Sequence, residues 1–346
     1  MENLKHLPEA VLTWYHAGHR ELPWRRDRQP YHVWLSEIML QQTRVEAVKR
    51  YYTRFLEHLP TVSHLAGCDD ELLHKLWEGL GYYSRSRNLK KAAQVILQEY
   101  GGEFPREYDQ VRALPGIGDY TAGAICSICY DLPVAAVDGN VMRLMARLTD
   151  DAAPIDLPER KQAVKRQLEK LYPPQAGDFT QGLMELGATL CGPNREPQCH
   201  RCPCAHFCLG YQRGTANKLP VKTPKKPKRR QQRTVFVLRC GDSYALRKRP
   251  EKGLLAGLWE FPNVEGVLEL PEALNWVTQQ GLKPREVLRQ LHREHIFTHI
   301  HWEMTAYYLE VEQPAGDFVW HTDEQIRMHS ALPTAFRQFW EETGRV

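Results

Sequence analysis

The chain of 346 residues contains no run of about eighteen apolar residues and no charged head followed by an apolar core. Membrane insertion and secretion are therefore not expected, and a cytoplasmic address follows. Internal repeats are missing as well. Formal net charge is scarce, at +4, while 42% hydrophobic and 25% charged residues are the proportions of an ordinary soluble globular protein rather than a disordered one. The length suffices for two domains or more.

What basic surplus exists is local. Lys218, Lys222, Lys225, Lys226, Lys228, Arg229, Arg230 and Arg233 follow one another with no acid between them, so the rest of the chain is net acidic. Such a strip can neutralise phosphates; it can equally be a solvated linker punctuated by Pro220, Pro224 and Pro227. Cysteine is distributed just as unevenly. Cys68, Cys126, Cys129 and Cys240 are scattered, while five more crowd between Cys191 and Cys208, which in a cytosolic chain argues for metal rather than disulfides.

From Leu7 to about Cys208 the pattern is helical. Trp34, Ile38, Val45, Val48, Tyr52, Phe55 and Leu56 recur at three- and four-residue steps, which predicts one amphipathic helix across residues 33–56. Leu72–Leu80, Asn88–Tyr100, Tyr120–Tyr130, Val141–Leu148 and Arg160–Leu171 read the same way between Pro, Gly and Asp signals, giving an all-α region of roughly ten helices. Residues 213–233 have nothing from which to build a core and read as an interdomain linker. Beyond Thr234 short β-prone runs appear at 235–238, 244–246 and 304–309, with helical stretches at Glu272–Gln280 and Pro333–Glu342. The expected architecture is multidomain: a helical domain over 1–212, the basic linker, and an α+β domain over 234–346.

Two motifs carry chemistry. The run Leu-Pro-Gly-Ile-Gly-Asp-Tyr-Thr-Ala-Gly at 114–123 places Gly116 and Gly118 in a hairpin, at about 114–122, whose bare amides can approach an anion. A helix starting near Asp119 or Tyr120 aims its N-terminal amides at the same place, which suits a phosphate. Cys191, Cys199, Cys202 and Cys208 form C-x7-C-x2-C-x5-C, dense enough for four thiolates to close around one centre. Zinc, with His200 or His206 as a ligand, and a [4Fe–4S] cluster are both open, and Cys204 leaves the ligand set open too.

The hairpin, with Asp138 some way behind it, resembles the helix-hairpin-helix module of DNA-repair glycosylases. Breaking an N-glycosidic bond to a purine needs a proton for the departing base and negative charge near a cationic sugar, and two carboxyls supply both. Glu37 stands among apolar neighbours, where desolvation would let it hold a proton near neutral pH; it also reads as a surface acid near a helix start. Asp138 reads as a helix N-cap, and a carboxylate held by amides is expected to keep a low pKa.

Val33-Trp34-Leu35-Ser36-Glu37-Ile38-Met39-Leu40-Gln41-Gln42-Thr43, Gly79-Leu80-Gly81-Tyr82-Tyr83-Ser84, the hairpin with Val137-Asp138-Gly139-Asn140-Val141, and the cysteine loop together resemble the MutY family of adenine DNA glycosylases over essentially the whole chain. The resemblance implies that Glu37 protonates adenine N7 and that Asp138 stabilises or bonds the sugar. Tyr120, where endonuclease III has a lysine nucleophile, would hydrogen-bond the aspartate, with Asn140 helping to orient it. Arg20, Leu22 and Trp24 would form the lip of the adenine pocket and Gln181 would read the extruded base. Gln42 and Tyr82 would fill the gap in the stack, beside the DNA contacts of Thr43, Leu80, Gly116 and Gly118. Also implied are a [4Fe–4S] cluster on Cys191, Cys199, Cys202 and Cys208, although the family's usual loop is C-x6-C-x2-C-x5-C, and a monovalent cation at the hairpin. The partner would be duplex DNA with adenine opposite 8-oxoguanine or guanine, met by a monomer on a bacterial chromosome.

Residues 234–346 resemble the family's Nudix-like domain, but the glutamate-rich REUxEExGU order is missing, so pyrophosphohydrolase activity is not expected. His295-Ile296-Phe297-Thr298-His299-Ile300-His301 matches the family's Phe-Ser-His loop with threonine for serine, which keeps the hydroxyl. Solvent-facing histidines on a strand are the plain alternative. The competing functions are an endonuclease III-like glycosylase/lyase, against which Tyr120 argues, and a non-catalytic DNA-binding protein with a structural cluster.

Overall fold

The computed structural model describes residues 4–193, 196–224 and 227–345, and the chain divides into two compact units. The first comprises residues 1–67 and 87–224; the second comprises 68–86 and 225–346.

The helices run in the order α1 (Leu7–Gly18), α2 (Pro30–Leu40), α3 (Val45–His58), α4 (Val62–Gly67), α5 (Asp70–Trp77), α6 (Ser84–Glu99), α7 (Tyr108–Ala113), α8 (Asp119–Tyr130), α9 (Gly139–Leu148), α10 (Pro158–Glu169), α11 (Ala176–Ala188) and α12 (Leu209–Gln212). The single helix expected over 33–56 is two. Gln42 takes a left-handed backbone (φ 59) that no helix accommodates, so α2 stops before it and α3 restarts after it. The halves then bury differently: α3 shows the stripe Val48, Tyr52, Phe55, whereas α2 is buried on nearly every side from Tyr31 to Met39. Packed against α2 is α8, and α11 packs on α1, α8 and α9. The α11–α9 contact is close enough that a Cβ on Gly187 would stand 2.8 Å from the Asn140 carbonyl oxygen, which fixes glycine there.

In the second unit β1 (Arg229–Cys240), β2 (Ser243–Lys248), β3 (Trp259–Glu260), β5 (Pro284–Ile296) and β6 (Ile300–Val311) form a sheet in the order β3-β2-β1-β6-β5, joined by β4 (Asn263–Glu265) on β1 and β7 (Val319–Thr322) on β2. The β1–β6 pair is parallel and the others antiparallel. Strand alternation sends Val235, Val237, Met304 and Ala306 to one face, under Phe336 and Phe339 of α15 (Thr334–Trp340) and Ile326 of α14 (Asp323–His329). Phe236, Leu238, Tyr307 and Leu309 go to the other, under Ala273 and Val277 of α13 (Leu270–Gln279). The only acid in α13 is Glu272, which is committed to a capping box with Glu269.

Two domain boundaries differ from the expectation. The basic strip is not a free linker: Ala216 and Leu219 are buried, the Leu219 carbonyl accepts from Arg147, and Thr223 is bonded to Asp156, all within the first unit. Strand β1 then begins at Arg229, inside the presumed linker; Lys225 and Lys226 lie outside the described residues. Residues 68–86, expected in the helical domain, group with the sheet because α5 has polar partners there. Lys75 donates to the Ile326 carbonyl at 3.1 Å near the end of α14, where a cation suits the helix dipole, and Glu78 accepts from the Leu332 amide at 2.9 Å. Among the described residues no helix is long and apolar enough to cross a membrane.

Candidate active site and nucleic-acid interface

In the first unit, α2 carries Glu37 inward to 6% exposure. Burial pushes its carboxyl from an ordinary 4.5 up to about 7; a hydrogen bond donated by the Tyr120 hydroxyl pulls down and the nearby Asp138 charge pushes up. Tyr120 is thereby corrected: it bonds Glu37, not Asp138. It stands in the first turn of α8, the helix packed on α2, and burial and the two carboxyls hold its own pKa well above 10, so it remains a donor.

Asp138 caps α9. Its carboxyl accepts from the Val141 amide and the Asn140 side chain, both at 2.7 Å. Each of its two oxygens thus has a donor, and neither donor is Tyr120. The expected low pKa does not follow either: burial raises it, and the bonds from Val141 and Asn140 only partly offset this. Arg143, one turn along, donates to the Asn140 side-chain oxygen at 2.7 Å and to the Cys191 carbonyl at 2.8 Å, so the aspartate and the cysteine loop share one bonded chain.

The hairpin behaves as its glycines predict at one position of two. Gly116 is at φ +77, and a Cβ there would stand 2.6 Å from that of Asn88. Gly118 has an ordinary extended backbone as the N-cap of α8, and a Cβ there would meet nothing, so its exposed backbone is open to a ligand.

Sequence reasoning missed Glu185. It is 2% exposed on α11, and its oxygens take Arg20 Nε at 2.6 Å and Arg25 Nη2 at 2.8 Å. Burial would raise its pKa, but the two guanidiniums overcome that and lower it. The available signal was spacing, since Glu185 lies one turn beyond Gln181 on the same helix face. Leu22 and Trp24 are buried, with Trp24 edge-on to Tyr52 at 5.6 Å; Gln181 is half-buried.

Cys191, Cys199, Cys202 and Cys208 line one cavity with Arg147 and Tyr211; Cys204 does not, being fully buried in the core beneath. Arg147 donates to Cys191 Sγ at 3.1 Å. Among the described residues no three His, Cys, Asp or Glu side chains stand so as to hold a single metal ion. Residues 194 and 195, within the longer first gap, lie outside the described residues.

In the second unit the loop of Leu80 and Tyr82 meets the hairpin between β5 and β6. Tyr82 has a left-handed backbone (φ 48) and is 45% exposed, and its hydroxyl lies 2.8 Å from that of the exposed Thr298. Gln42 and Tyr82 are thus both non-glycine residues in a region of backbone space that costs energy, a conformation they share with Asp131, Asp150 and Leu255. Thr43 is half-buried and Leu80 buried.

A buried carboxyl whose pKa is raised to about 7, a second carboxyl capping a helix and a glycine hairpin leading into a helix N-terminus have the arrangement of a base-excision DNA glycosylase of the helix-hairpin-helix class, here joined to a Nudix-like sheet. Residues 35–174 match the model of the HhH-GPD superfamily of base excision DNA repair proteins, and 234–342 match that of the NUDIX domain. The chain belongs to the adenine DNA glycosylase family. It is 35% identical to the adenine DNA glycosylase of Rattus norvegicus, over 95% of this chain and 76% of that protein, and 32% identical to that of Schizosaccharomyces pombe, over 87% and 80%. A thermostable thymine-DNA glycosylase has a similar structure, with TM-score 0.56 and 28% identity over 61% of this chain and 98% of that one.

Proposed function

We propose that the protein removes undamaged adenine opposite 8-oxoguanine, and less efficiently opposite guanine, leaving an abasic site in duplex DNA. The observation that carries this is Glu37, buried, proton-holding near neutrality and hydrogen-bonded by Tyr120. With the adenine extruded from the stack, Glu37 gives its proton to N7 while the C1′–N9 bond breaks. Tyr120 holds one carboxyl oxygen and leaves the other to the base. Asp138 faces the cation that forms on the sugar; arrival of that positive charge opposes the upward pull of burial and keeps it anionic, to stabilise or to bond C1′. Asn140 and the Val141 amide orient it, and water completes the hydrolysis. Position 120 offers no amine for a Schiff base, so strand cleavage is left to alkali.

Arg20, Leu22, Trp24 and Gln181 surround the base in this reading. Gly116 and Gly118 take a phosphate, with the hairpin carbonyls as the place for a monovalent cation. Gln42, Thr43, Leu80 and Tyr82 occupy the gap and touch the lesion strand, and the Phe297-Thr298-His299 loop reads the base opposite. A [4Fe–4S] cluster fits Cys191, Cys199, Cys202 and Cys208, because those four share one cavity and Cys204 is outside it. The cluster would brace the loop that Arg143 ties to α9.

The test is a panel of duplexes with adenine opposite 8-oxoguanine, adenine opposite guanine, and thymine glycol. Alkali-dependent breaks at adenine are expected. Breaks at the oxidised pyrimidine would favour a lyase of the endonuclease III kind, and no breaks a binding protein.

A further inference from the structure

We propose that Lys228 and Trp302 are positioning residues for discrimination of the base opposite adenine, acting through the hairpin that carries Thr298. This rests on the reading of that hairpin as the reader of the oxidised base.

The turn from β5 to β6 is closed by one backbone bond, from the Phe297 amide to the Ile300 carbonyl at 2.8 Å. Two further carbonyls at its tip, those of Phe297 and His299, are taken by the start of β1. Lys228 Nζ donates to the Phe297 carbonyl at 2.6 Å, and the Arg229 amide donates to that of His299 at 3.0 Å. The Thr298 hydroxyl therefore sits between two anchored peptide groups.

The side chain of Phe297 adds a third anchor. Its ring lies between the His295 imidazole, 4.5 Å away, and the Trp302 indole, 4.8 Å away, both at steep angles. Trp302 is itself fixed: its Nε1 donates to Gln231 at 2.9 Å, the Arg233 guanidinium lies 4.7 Å from its ring centre, and Phe336 of the core approaches at 5.9 Å. Phe297 is thus tied into the core while Thr298 projects, paired with Tyr82. Gln231 and Arg233 belong to β1, as does Arg229, with Lys228 immediately before it. The end of the basic strip accordingly works as a clamp on the hairpin rather than as a charge on DNA.

A reader of one oxygen and one proton on an oxidised base needs its hydroxyl held in place. Freed from the clamp, the tip samples other positions and the preference for 8-oxoguanine falls, while the acid–base site in the other unit is untouched.

The experiment measures duplex affinity and single-turnover adenine excision opposite 8-oxoguanine and opposite guanine, for the full chain and for Lys228→Met, Lys228→Arg and Trp302→Phe. Lys228→Met should reduce the preference for the oxidised duplex about fivefold, the scale of one net hydrogen bond at an exposed site. Lys228→Arg, which keeps a donor, should restore most of it, and Trp302→Phe should reduce it less. A preference unchanged in Lys228→Met overturns the proposal, as does an equal loss of affinity for both duplexes, the signature of a lost phosphate contact. Failure of the underlying function is separable, since the unaltered chain would then excise adenine from neither duplex.

Discussion

In the helical unit the carboxyls of interest, Glu37 and Glu185, are withdrawn from water; in the sheet unit the paired hydroxyls of Tyr82 and Thr298 stand in it. Burial is what changes Glu37 chemically, lifting its pKa to about 7. Exposure is what would leave Thr298 available to a base in the proposed function. The supports differ in kind as well. Side chains and helix packing hold Glu37, whereas the exposed hairpin is held through its own carbonyls and one aromatic ring. A reaction that makes charge requires a dry, polar cage, and a comparison between two guanines requires a rigid tip within reach of DNA.

The largest effect belongs to the cage. Glu37→Gln should lower single-turnover adenine excision by about a thousandfold, within the range of lost general acid catalysis, with duplex affinity nearly unchanged. Asp138→Asn should be comparably inactive. Either variant working at full rate would erase the distinction between the two regions. Next comes the cysteine cavity: Cys199→Ser should lose iron on purification, while Cys204→Ser should retain it, checked by iron analysis and visible absorbance near 400 nm. Retention by both or loss by both would contradict the lining of the cavity.

Glu185→Gln leaves Arg20 and Arg25 without their buried counter-charge. Because Arg20 is partly exposed, a destabilisation of about 2 kcal/mol is expected, seen as a lower Tm in calorimetry. The smallest effect is on the tip. Thr298→Ala with Phe297→Ala should narrow the preference for oxidised over normal guanine several-fold and leave the excision rate opposite guanine within about twofold; an undiminished preference would remove the loop from discrimination.

The helical core, the glycine hairpin and the closely spaced thiols were legible from residue type and spacing, whereas Glu37 and Asp138, which also read as a surface acid and a helix cap, were singled out by the family resemblance. Less was legible where tertiary contacts override local pattern. The stripe of residues 33–56 is continuous in sequence, yet the left-handed Gln42 divides it. Nothing in residues 68–86 signals that Lys75 and Glu78 find their partners some 250 positions later. The long strand β5 hid behind its charges, since on this edge strand every side chain is exposed or at most half-buried. Glu185 looked like one acid among many until Arg20 and Arg25 closed on it. Tyr120 was placed near the right pair of carboxyls but bonded to the wrong one, because which oxygen a hydroxyl reaches depends on helix packing and not on motif.

The pH dependence of single-turnover adenine excision tests the central claim most directly. Glu37 must carry its proton to act, so the rate should fall about tenfold per unit above roughly pH 7, and this limb should be absent from whatever activity Glu37→Gln retains. Stability must agree in sign: the folded protein binds that proton more tightly than the unfolded chain, so Glu37 costs stability as pH rises from 4.5 through about 7, and the glutamine variant escapes that cost. A rate that stays level to pH 9 in the unaltered protein would contradict a buried, protonated Glu37 as the acid.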